Sequence, residues 1–166
     1  MKKAVIVSGF RTAIGKHLGQ WKKVPPEDMA AVCMKEAVAR IGIDPMEIED
    51  VAFGNIMGQY GSLGRVAALR AGLPFESGAV TIDRQCGSGS TAIAFAALNI
   101  MAGNGDVYIA AGVENMTLIP YQMAKTTELQ WDSPKFLRTR LAPEDISENL
   151  SMPETADRVA AIYGTS

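Results

Sequence analysis

Cys86 stands in the run Arg84-Gln85-Cys86-Gly87-Ser88-Gly89, between a β-branched stretch, Ala79-Val80-Thr81-Ile82, and a long apolar, alanine-rich segment that follows. A thiol at such a strand-to-helix junction can do nucleophilic chemistry. The first turn of a helix presents unpaired N–H groups and the positive end of its dipole, and both favour the thiolate, the reactive form of a cysteine. The flanking glycines let other atoms come close. The same residues admit a plainer account. Free cysteines are commonly small core residues, and Gly87 and Gly89 can simply ease a tight turn and close packing. Local chemistry leaves both accounts open. Cys33 fits the plainer one, lying on the apolar face Met29, Val32, Cys33, Ala37, Ile41 of an expected helix. Two cysteines and one histidine, His17, form neither a zinc pattern nor a disulfide framework, so no metal site is expected.

The elements that would position Cys86 alternate along the chain. Ala4 to Ser8 reads as a first strand. Pro25-Pro26-Glu27-Asp28 opens a helix, with proline and acids in the first turn where geometry and dipole suit them, and Gly42 closes it. Val51 to Asn55 reads as a second strand and Ser62 to Ala71 as a second helix, stopped by Gly72-Leu73-Pro74. Residues 79–82 read as a third strand. A helix over 88–102 follows, apolar nearly all round and therefore central, and then a fourth strand over 107–112. Strands separated by helices indicate βαβ units and a mainly parallel sheet, an α/β architecture. Ligands in such sheets sit beyond the carboxyl ends of strands, and Cys86 lies at one.

Regularity stops after Glu114-Asn115-Met116. From Thr117 to about Leu150 no helix of convincing length is legible, although Trp131, Phe136, Leu137 and Leu141 suggest a segment docked on something. Glu154 to Tyr163 reads as a last helix. Residues 1–116 are therefore expected to form an α/β core and 117–166 a separate region.

The 166 residues suffice for one domain; 48% are hydrophobic and 20% charged, which excludes a disordered chain. A net charge of −2 argues against a nucleic-acid surface. Met1-Lys2-Lys3 leads into an apolar run too short for a signal peptide or membrane span, so a cytoplasmic setting with no membrane partner is expected.

At five segments the chain resembles the thiolases, which make or cleave 3-ketoacyl-CoA thioesters. They are Val7 to Gly15, Gly64 to Pro74, Asp83 to Gly89, Ala110 to Thr117 and Ser151 to Ala160, in family order. The cysteine block is highly specific; the others are weak singly and strong together. The resemblance implies a thiolase-like layered fold, incomplete, about the first half of a two-unit thiolase plus the start of its loop region. It implies that Cys86 is the acyl-accepting nucleophile, its own N–H one donor of an oxyanion hole, and that Met152 lines the acyl pocket. It places 117–166 at the start of the coenzyme-A-binding loop region.

No covalently bound cofactor is implied, and the coenzyme A thioester is the substrate. Pro153 departs from the glycine usual after the methionine. Family members are about twice as long, and their second half supplies a histidine, a second cysteine and an asparagine-held water. Neither His17 nor Cys33 matches these. The resemblance therefore implies an acyl-CoA C-acyltransferase that needs a carboxy-terminal half for full turnover, as a separate chain or a missing segment. It also implies a homo-oligomer. A non-catalytic acyl-CoA-binding or assembly subunit is the alternative. A decarboxylating ketoacyl synthase suits the cysteine block less well.

Overall fold

The computed structural model describes residues 2–58, 61–124, 136 and 150–165. The chain forms two compact units, residues 1–120 and 121–166.

The first unit is built on a three-stranded parallel sheet. Its strands are β1 (Asp50–Gly54), β2 (Val80–Ile82) and β3 (Tyr108–Gly112), in the order β2-β1-β3. Ala52 pairs with Val80 on one side and Ala110 on the other, and Gly54 with Ile82 and Gly112. Three helices cover the sheet: α1 (Pro26–Ile41), α2 (Leu63–Arg70) and α3 (Ser88–Ala102). The crossover β1–α2–β2 leads one way from the central strand, and β2–α3–β3 passes back over it to the far side. Crossovers of one hand leading in opposite directions fall on opposite faces of a sheet. Here α1 and α2 share one face while α3 lies across β1 and β3 on the other.

Period-two alternation along β1 assigns its side chains to the two layers. Val51 and Phe53 enter a core with Ala30, Met34, Val38, Leu63, Ala67 and Ala68. Ala52 points the other way, onto Ala92 and Ala96 of α3. That second layer is made of small residues, which brings the helix close to the sheet. Complete burial of Val51, Ala52 and Phe53 explains why β1 reads as an unbroken apolar run. The helices end where left-handed glycines stop them, at Gly42 (φ 66°) and Gly103 (φ 84°).

Three readings differ from the structure. Ala4 to Ser8 forms no strand and joins none of the three, with Val5 73% and Ile6 81% exposed. Its residues suit a strand, but a strand exists only where an edge pairs with it, and composition carries no such information. On α1 the buried stripe is Ala30, Ala31, Met34 and Val38, rotated by about one residue from the expected face, with Val32 exposed and Cys33 half-buried. An alanine-rich helix supports two phases of the same period, and packing against α2 selects one. Helix α3 buries one stripe only, Ser88, Ala92 and Ala96, leaving Leu98 64% exposed.

The second unit contains α4 (Met152–Tyr163), which starts two residues before the expected Glu154. Ser151 caps it: its hydroxyl accepts from the Glu154 N–H while the Glu154 carboxylate accepts from the Ser151 N–H. This is a capping box. Pro153 sits in the first turn, where its missing N–H costs nothing. In the same unit the rings of Tyr121 and Phe136 meet edge to face at 5.7 Å. Trp131, Pro134, Leu137, Arg138, Arg140, Leu141 and Pro143 lie outside the described residues. Among the described residues no helix is long and apolar enough to cross a membrane.

Candidate functional site

Cys86 occupies the turn between β2 and α3, beyond the carboxyl end of a strand, and its residue is exposed. The turn is closely tied. The Asp83 carboxylate accepts from the Gln85 N–H at 2.9 Å, folding the chain just after β2. Gln85 has φ 48°, a left-handed conformation uncommon for a residue with a side chain. The Arg84 carbonyl accepts from the Gly87 N–H, and the Gln85 carbonyl from the Ser88 N–H, both at 3.0 Å. Buried Ser88 adds two bonds from its hydroxyl, accepting from the Arg84 N–H at 2.9 Å and donating to the Gln85 carbonyl at 2.6 Å. A strained, closely hydrogen-bonded turn thus sets Cys86 at the head of a 15-residue helix. Such an arrangement presents a thiol to an electrophile arriving from solvent while helix N–H groups face any negative charge that develops.

The glycine that brings this helix onto the sheet is one the sequence reading passed over. A Cβ at Gly54 would lie 2.8 Å from both the Gly89 nitrogen and the Ser88 carbonyl carbon, so only glycine lets β1 and the first turn of α3 touch. A glycine inside a strand is the available signal for such an approach. At Gly89, by contrast, an added Cβ would meet nothing within 4 Å.

Polar side chains hold the neighbouring loops. Buried Asn55 follows β1, takes the Ile82 carbonyl with its N–H at 3.1 Å and donates its amide to the Val113 carbonyl at 2.8 Å. The Glu114 carboxylate accepts from the N–H groups of Ile56 and Met57. Asn115 donates to the carbonyls of Trp21 and Val24 at 3.0 and 2.9 Å. Arg65 donates to the Ser77 and Phe75 carbonyls and fixes the loop entering β2. His17 and Cys33 take no part in this turn. His17 is exposed, with Nδ1 3.4 Å from the Thr117 hydroxyl, and Cys33 lies on α1. Met152 is the first residue of α4 in the second unit and is 72% exposed. No group of three or more His, Cys, Asp or Glu side chains gathers as a metal site among the described residues.

Comparison with known proteins gives a consistent picture. Residues 4–166 match the family described as "Thiolase, N-terminal domain". The chain is 36% identical over 169 residues to an acetyl-CoA acetyltransferase of Cupriavidus necator, covering 99% of this chain and 43% of that protein. It is 41% identical over 134 residues to the steroid 3-ketoacyl-CoA thiolase FadA6 of Mycobacterium tuberculosis, covering 79% of this chain and 33% of that protein. The crystal structure of the Bacillus anthracis acetyl-CoA acetyltransferase superposes with a TM-score of 0.83 at 32% identity, over all of this chain and 43% of that one. The chain thus spans less than half the length of these relatives. From the match across nearly its whole length, the chain belongs to the thiolase family, as an amino-terminal portion with the partial α/β fold of that family.

Proposed function

We propose that this chain is the amino-terminal part of an acyl-CoA C-acyltransferase and that Cys86 is its acyl-accepting nucleophile. The observation that carries the reading is an exposed thiol at the head of α3, beyond the carboxyl end of β2, inside a chain matched to the thiolase amino-terminal domain. Its sulfur attacks the carbonyl of an acyl-CoA. A carbon–sulfur bond forms to Cys86, the bond to the coenzyme A sulfur breaks, and coenzyme A leaves as its thiol. The Cys86 N–H serves as one donor to the oxyanion formed on the way. Met152 lines the acyl pocket, and residues 117–166 begin the region that holds coenzyme A.

The helix head and turn amides support slow acylation. Claisen condensation and its reverse, thiolysis of acetoacetyl-CoA or a longer 3-ketoacyl-CoA, also need a positioned base to move a proton at carbon. We assign that base to the carboxy-terminal thiolase half, present as a separate chain or as a missing segment. The same half covers the apolar face of α3 around Ile93 and Leu98, within a homo-oligomer in the cytoplasm.

Mixing the chain with a carboxy-terminal thiolase segment and following coenzyme-A-dependent thiolysis of acetoacetyl-CoA tests the reading. Activity is expected in the mixture and is expected to vanish with Cys86→Ser. Acyl-CoA binding without acylation of Cys86 in any mixture of folded chains would replace it with a non-catalytic binding or assembly subunit.

A further inference from the structure

We infer that Ser88 is a positioning residue, one that sets the direction of the Cys86 N–H by holding the peptide between Gln85 and Cys86. The inference rests on the reading of Cys86 as nucleophile and concerns how its oxyanion donor is aimed.

The peptide unit joining Gln85 to Cys86 is planar and trans, so its carbonyl and its N–H point in opposite directions. Fixing one end fixes the other. Two donors hold the carbonyl end: the Ser88 N–H at 3.0 Å and the Ser88 hydroxyl at 2.6 Å. Both belong to the first residue of α3, so the carbonyl is drawn toward the helix and the N–H of Cys86 is turned away from it. The hydroxyl does more than duplicate the backbone bond. It accepts from the Arg84 N–H at 2.9 Å, which ties the peptide before Arg84 to the peptide after Gln85 through one atom.

Two residues, Arg84 and Gln85, stand between those peptides, and Gln85 has φ 48°. A non-glycine residue leaves that conformation when its constraints are removed, and rotation of the adjoining peptide is the available route. A rotated peptide would point a carbonyl oxygen where the N–H had been, replacing attraction for a developing oxyanion with repulsion. Ser88 is 5% exposed, and this burial shields its hydroxyl from solvent competition for these partners. Its side chain does not touch substrate in this account; it acts through the peptide.

The test uses the full 166-residue chain with Cys33→Ser, leaving Cys86 as the one thiol, and compares two reactions of that thiol. Acylation by acetyl-CoA, followed by mass, passes through an oxyanion; alkylation by iodoacetamide does not. Ser88→Ala is expected to slow acylation by about 100-fold, as loss of an oxyanion donor does, and to leave alkylation within a few-fold. Ser88→Thr keeps a hydroxyl and is expected to retain acylation within about tenfold.

Gln85 is exposed, so Gln85→Val removes no packing while disfavouring the left-handed conformation. It is expected to show the same split and carries the test if Ser88→Ala does not fold. Acylation at the parent rate in folded Ser88→Ala, or in Gln85→Val, overturns the inference while the nucleophile stands. Equal slowing of both reactions also overturns it, because it marks a general loss of structure. A parent chain that alkylates but never acylates, alone or mixed with a folded carboxy-terminal thiolase half, removes the nucleophile reading itself, and the role of Ser88 with it.

Discussion

Replacing Gly54 by alanine asks whether the sheet holds the head of α3, and with it Cys86, in place. The new Cβ would stand 2.8 Å from the Gly89 nitrogen and the Ser88 carbonyl carbon and 3.0 Å from the Ser88 oxygen. All three are backbone atoms of one helix turn, so no side chain can swing aside. Ordinary contact begins at 3.4 Å, and the turn must retreat by roughly 0.6 Å to reach it. Overpacking of this kind costs about 1–3 kcal/mol. For a unit of this size that lowers the melting temperature by roughly 4–12 °C.

The chemical consequence is separate. Ser88 and Gly89 belong to the turn that presents Cys86, and a misplacement of about 1 Å costs on the order of 100-fold in rate. Acylation of Cys86 by acetyl-CoA is therefore expected to fall at least several-fold. Gly89→Ala is the control: nothing lies within 4 Å of its Cβ, and a helical alanine there is expected to stabilise by about 0.4–1 kcal/mol. Thermal melts of the two variants and the parent decide the matter. A Gly54→Ala chain that melts and acylates like the parent, or a Gly89→Ala chain as damaged as Gly54→Ala, would refute the account of α3 seated on β1.

Two further outcomes follow from charged groups. Arg65→Met removes the guanidinium donors to the Ser77 and Phe75 carbonyls while keeping the apolar stem, and is expected to cost about 2 kcal/mol in a urea melt. Glu49 accepts from the N–H groups of Asp106 and Val107, which hold its carboxyl below the ordinary value of 4.5. A depressed native pKa gives stability that is complete above the ordinary value and is lost as pH falls through the native one. Glu49→Gln is accordingly expected to flatten the acid limb of a stability-against-pH curve below about pH 4.5, with little change in slope near neutrality.

The strands that became the sheet were legible because each carries its own evidence. β1 is a short apolar run buried on both faces, and the glycines at 42 and 103 end helices by a local conformational need. Residues 4–8 carried the same local evidence and joined no strand, since pairing is settled by an edge elsewhere in the chain. The phase of α1 failed for a related reason: Met29, Val32, Ala37 and Ile41 form one apolar stripe and Ala30, Ala31, Met34 and Val38 another, so packing against α2 has to choose between them.

The site divides along the same line. A cysteine between a strand and a helix, with glycines beside it, marks a reactive turn through adjacent residues, so position and residue type were readable together. The parts that aim the thiol are not adjacent in that sense. Gly54 precedes Gly89 by a helix, a strand and three connecting segments, and its role exists only because β1 packs against the first turn of α3. Ser88 was in plain view in the cysteine block, but a serine at a helix start ordinarily reads as a cap. Here its hydroxyl turns back to Arg84 and Gln85 instead, which depends on Gln85 taking a left-handed conformation that no residue type announces. Sequence therefore identifies the atom that can react more readily than the atoms that direct it, because reactivity belongs to one side chain while direction comes from backbone held by distant contacts.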